Sequence, residues 1–91
     1  MVNDILKMLK VEPFAIDYIN NDLWLLYNDI SNNNRYRIIV HNDDNMYNVY
    51  IQYIYTNDDD CIDIVSYICD TKNAVAKLID AMMLYYMIND L

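Results

Sequence analysis

Three groups of side chains in this sequence have the types and spacing from which chemistry could be built. Asp70-Thr71-Lys72 is an acid-X-lysine triplet. With a second carboxylate upstream, such a triplet can hold Mg²⁺ while the ammonium orients an attacking water, as phosphodiester hydrolysis requires. Asp58-Asp59-Asp60 with Asp63, and the pair Asp43-Asp44, cluster the hard oxygens that Ca²⁺ and Mg²⁺ prefer. Cys61, Cys69 and His41 are the thiols and the one imidazole from which a nucleophile–base pair would have to come.

Each group also has a plainer reading, and the surrounding sequence favours it. Asp70-Thr71 stands where an amphipathic segment begins, which is where a helix N-cap belongs. The aspartate runs stand at turn tips. A calcium loop of the helix-loop-helix kind would need a Gly at its sixth position and a Glu at its twelfth, and neither is there. One His and two distant Cys cannot supply four zinc ligands. His41 reads as the solvated end of a strand. The expectation is therefore a chain that is not an enzyme and carries no cofactor or metal.

Composition narrows the choice further. Ninety-one residues make a single domain, 1–91, whose core buries only about 60% of the chain's surface. Glycine is absent, which removes Gly-rich phosphate loops and dinucleotide fingerprints. There are 14 acidic side chains against 6 basic ones, for a net charge of −8 and a pI near 4.1. That balance argues against direct nucleic-acid binding, which needs Lys and Arg in number. Hydrophobic types reach 56%, enough to fold. The longest apolar run, Ala81 to Ile88, is far short of the roughly 18 residues that cross a bilayer. Met1-Val2-Asn3-Asp4 has no basic region leading into an apolar stretch, so no signal peptide, no membrane association and a cytoplasmic location are expected. The wealth of Asn, Asp, Ile and Tyr suggests AT-rich coding, of a low-GC bacterium, its phages or an AT-rich virus.

The elements that must position these residues are marked out by Asn and Asp, which tolerate the left-handed backbone region where Gly is missing. Clusters at 20–22, 31–34, 42–45 and 57–60 separate apolar runs rich in β-branched and aromatic residues. Phe14–Ile19, Leu23–Ile30, Arg35–His41, Met46–Thr56 and Cys61–Cys69 read as strands joined by hairpins. In the fourth, Val49, Ile51 and Tyr53 should point to the core, with Asn48, Tyr50 and Gln52 on the wetter face. On a continuous fifth strand, Cys61 and Cys69 would share one face about 26 Å apart, too far to bridge. Val2, Ile5, Leu6 and Leu9 have helical spacing before Pro13; Val75, Leu78, Ile79, Met82 and Tyr86 have it again. Lys72, Lys77, Asp80 and Asp90 mark the wet side of this last helix. The fold class is α+β: an N-terminal helix, an antiparallel sheet of four to five strands, and a long C-terminal helix packed on one sheet face. A simple meander would put the 42–45 turn near Asp22 and Asp70, and the 57–60 turn at the opposite end. The all-round apolar stretch of the last helix calls for a second cover. A homodimer through Met82, Met83, Tyr85 and Tyr86 would supply it.

Charge is uneven. Residues 38–71 hold seven acids and no Lys or Arg, and the bases are confined to 7–10, 35–37 and 72–77. Such a surface attracts basic partners and repels nucleic acid. Asp43, Asp44, Asp58, Asp59, Asp60 and Asp63, with Tyr47 and Tyr50 between them, are the residues expected to meet such a partner. In this build, small, acidic, glycine-free and helix–sheet–helix, the chain resembles phage-encoded anti-defence inhibitors, anti-CRISPR proteins among them. The resemblance implies a non-enzymatic inhibitor acting as a nucleic-acid mimic. Its target would be a basic host protein, a nuclease or nucleic-acid-guided complex, whose nucleic-acid site it blocks. The alternatives are an immunity protein or antitoxin for a basic toxin, and a structural or regulatory homodimer.

Overall fold

The computed structural model of the protein describes residues 3–29, 33–55 and 60–89. In chain order these form α1 (Asn3–Met8), β1 (Ala15–Ile19), β2 (Asp22–Asn28), β3 (Arg35–Asp43), β4 (Met46–Ile54), β5 (Cys61–Cys69) and α2 (Lys72–Asn89). The expected α+β class is what the chain adopts. The five strands form one sheet in sequence order, every neighbour antiparallel.

The turns show how a chain without glycine makes hairpins. Ile19 pairs with Asp22 across a two-residue loop in which both Asn20 (φ 53°) and Asn21 (φ 69°) are left-handed. Matching positive φ at both positions gives the twist that suits flanking strands. Asp43 pairs with Met46 across Asp44-Asn45, where Asp44 takes φ 55°. Asn and Asp accept this region at lower cost than other side chains because their short polar groups bond locally.

One sheet face is covered by helices. Leu23, Leu25 and Tyr27 of β2, Tyr36, Ile38 and Val40 of β3, and Val49 and Ile51 of β4 alternate into the core, as the period of two demands. Ile5 of α1 and Val75, Ala76, Ile79 and Met83 of α2 meet them. The start of α2 is capped by Thr71, whose Oγ1 accepts the Ala74 N–H at 3.0 Å. The segment after α1 is fastened to the same helix. Asp80 accepts the backbone N–H of Lys10 (3.1 Å) and of Val11 (3.0 Å), and Val11 returns its carbonyl to the Tyr27 hydroxyl at 2.8 Å. Asp80 is therefore a fastening and not part of the wet side. Burial, then the Asp80 charge, pushes the Tyr27 phenol well above its ordinary range.

Two features of the last elements differ from expectation. The register between β4 and β5 shifts at Ile51/Gln52, so Val65 pairs with Ile51 and Asp63 with Gln52, leaving Ile64 as an extra residue. This bulge reverses the alternation. Cys61 lies across from Ile54 on the uncovered face and Cys69 across from Tyr47 on the helix face, so the two thiols do not share a side. In α2, Met83 is wholly buried in the core and Tyr86 stacks on Tyr36 with ring centroids 5.0 Å apart. Met82 is partly buried against the same core. The sheet supplies most of the second cover that the apolar helix needs. Among the described large apolar side chains of this helix, Leu84 and Tyr85, exposed by 48% and 59%, are what remains outside.

Two substitutions test this account. Asn21→Gly should raise stability by about 0.5–1 kcal/mol, since glycine takes positive φ freely. Asp80→Ala should lower it by about 1–3 kcal/mol, by stranding two backbone donors. Urea unfolding with unchanged m-values measures both.

Candidate functional site

The face of the sheet away from the helices carries the side chains that are not spent on the core. Register arranges them in rows across the strands. One row runs Ala15, Leu26, Arg37, Gln52 and Asp63; the next runs Asp17, Trp24, Ile39, Tyr50 and Ser66. Beyond these lie His41 with Asn48 and Ile68 toward one end, and Arg35 with Ile54 and Cys61 toward the other.

A polar chain crosses three strands in this face. Arg37 Nε donates to Gln52 Oε1 at 2.7 Å, and Gln52 Nε2 donates to Asp63 Oδ1 at 2.8 Å. Arg37 also reaches Cys61 Sγ at 3.4 Å and lies over the Trp24 ring, 4.8 Å from its centroid. Arg35 lies over Phe14 at 5.2 Å. A hollow of about 400 Å³ opens beside these groups, lined among others by Ala15, Ile19, Trp24, Leu26, Arg35 and Arg37.

The acidic residues fall into two sets. Several are occupied within the fold. Asp4 accepts from Lys72 at 2.9 Å, and the Lys72 hydrogen bond and charge hold its carboxyl below the usual range. Lys72 of the acid-X-lysine triplet is thus an ion-pair partner of α1, beside the Thr71 cap. Asp29, only 4% exposed, accepts from the Tyr53 hydroxyl. Asp22 takes the His41 imidazole at 2.6 Å across β2 and β3. This pairing, which strand periodicity alone did not disclose, raises the His41 pKa above 6.5, mainly through the hydrogen bond.

Asp43, Asp44 and Asp70 form the second set. The meander gathers their turns at one end of the sheet, all three are exposed, and none forms an ion pair among the described residues, Asp43 acting on His41 only through space. The residues expected to meet a partner are not one patch. Asp60 and Asp63 lie toward the far end, separated from Asp43 along β4 by about 20 Å for Asp63 and about 27 Å for the strand end beside Asp60, at 3.3–3.4 Å per residue. Tyr47 packs against the core on the helix face, while Tyr50 is exposed on the open face. Asp58 and Asp59 lie outside the described residues. Among the described residues no three His, Cys, Asp or Glu side chains form a group that could hold a metal ion. No described helix is long and apolar enough to cross a membrane.

No protein-family model, curated protein or solved structure matches this chain.

The His41–Asp22 pair sets a pH expectation. A raised folded-state pKa means its stabilisation is complete below about pH 6.5 and is lost as pH rises through the folded value. NMR titration should place the His41 midpoint above 6.5, and Asp22→Asn should return it to the ordinary value.

Proposed function

We propose that this protein is a non-enzymatic inhibitor that binds a basic, nucleic-acid-handling protein and blocks its nucleic-acid site, in the manner of phage anti-defence proteins. The observation that carries the reading is the acidic sheet end. Asp43, Asp44 and Asp70 stand exposed together, unneutralised, on a molecule of net charge −8. Aspartates on short stems at the tips of tight turns lose little entropy when held against a cationic surface, and the field of the whole molecule speeds the encounter. Asp43 and Asp44 stand at a two-residue hairpin and Asp70 directly before the Thr71 cap of α2, so short connections hold all three. The carboxylates then stand in a fixed array, as phosphates do along a nucleic-acid strand. An immunity protein or antitoxin for a basic toxin would rest on the same physics.

A homodimer is the second reading, favoured by the exposed Leu84 and Tyr85 on the outer side of α2. It would use these two residues with the accessible part of Met82, and not Met83, which the core has taken. Sedimentation of Leu84→Lys and Tyr85→Lys variants separates the two: loss of a dimer supports this reading, and a wild-type monomer removes it.

Inhibition is testable with purified RNA-guided nucleases and DNA nucleases from phage-exposed bacteria. The protein should compete with nucleic acid for one of them, and binding should weaken steadily from low to high salt. Neutralising the turn, Asp43→Asn with Asp44→Asn, should weaken association roughly three- to tenfold, mostly in the on-rate. Affinity that ignores both salt and these substitutions would remove the basis of the proposal.

A further inference from the structure

We propose that the hollow on the open sheet face binds a small ligand in which a flat apolar body carries a single carboxylate. The chain has two arginines, and both line this hollow although the protein as a whole is strongly acidic. Arg35 makes no hydrogen bond or ion pair among the described residues; it lies over the Phe14 ring. Arg37 is held in place by Gln52 and Cys61, which together use only part of its fork of five donors. A guanidinium braced on one side and open on the other is suited to take a carboxylate bidentately.

A second observation points the same way. The indole Nε1–H of Trp24, which also lines the hollow, is buried without an acceptor among the described residues. Buried donors are almost always paired; this one is closed to solvent, and a carboxylate seated on the arginines would pair it once the indole tilts toward the ligand. The body of the ligand follows from the remaining walls. Leu26, Ile54 and the indole are apolar, and a volume of about 400 Å³ lies within the range of small-molecule sites. The charge follows from Asp17, which lines the same hollow. Two positive groups and one negative leave room for a monoanion, while a dianion would face the Asp17 carboxylate unbalanced.

The lone tryptophan makes the test direct, because its indole N–H gives a single resonance. The ¹⁵N-labelled full chain is titrated with 2-naphthoate, 2-naphthamide and 2-naphthyl phosphate. The expected result is a saturable movement of the Trp24 indole resonance with naphthoate, with naphthamide at least about tenfold weaker. Arg35→Gln should cost about tenfold in naphthoate affinity. Arg35 only stacks on an exposed Phe14, so this variant keeps the test open should Arg37→Gln fail to fold. An indole resonance that does not move at millimolar naphthoate would overturn the proposal. Equal binding of the amide, or unchanged affinity in Arg35→Gln, would do the same. Tighter binding of the phosphate would overturn the choice of a monoanion.

Discussion

A five-stranded sheet has two faces, and this chain has helix enough for one. The 18 residues of α2 extend about 27 Å, and the short α1 lies beside them on the same side. Burial of Leu23, Leu25, Ile38, Val40, Val49 and Ile51 beneath that layer is the dominant gain, since each such side chain is worth about 1.5–3 kcal/mol when removed from water. The uncovered face must then remain compatible with water while every strand keeps its alternation. It does so by mixing. Arg37, Gln52 and Asp63 are linked by hydrogen bonds across three strands, and His41 takes Asp22. The apolar members, Trp24, Ile39, Tyr50 and Ile54, lie between these polar groups.

The same two-layer constraint explains which charges are available. Aspartates near the helix layer become fastenings: Asp4 to Lys72, Asp80 to the chain after α1, Asp29 to Tyr53. At the turn end Asp43, Asp44 and Asp70 project from short connections into water, without an ion-pair partner among the described residues. The electrostatic character of the surface is thus decided by which acids the fold engages as much as by how many the chain contains.

Much of the fold could be read from the residues. Asn and Asp clusters located every hairpin, β5 was bounded at Cys61 and Cys69 as observed, and the face assignment of β4 follows its alternation. The partnerships could not be read in the same way. His41 with Asp22 and Arg37 with Gln52 depend on register, and register is set by turn length to the residue. The 29–34 connection and the bulge at Ile64 leave no periodic trace. One extra residue was enough to place Cys61 and Cys69 on opposite faces. Met83 was hidden differently: from Ala81 to Ile88 every side of the helix is apolar, so composition gives no phase, and only docking on the sheet decides which side turns inward.

Seven of the nine residues of β5 are exposed, Ile68 by 70%, and the outer rim of this strand offers its amides and carbonyls to no neighbour within the sheet. Rims of this kind invite the next molecule to add itself strand by strand. The one charge on this rim, Asp63, is already engaged by Gln52, so local chemistry gives little protection. What holds two such rims apart is the surplus of negative charge carried by the rest of the molecule, together with the kink that the extra residue puts in the strand. The aspartates thus serve colloidal stability too: acidifying this protein toward its isoelectric point, or screening its charge with concentrated salt, removes the main barrier to growth into extended sheets.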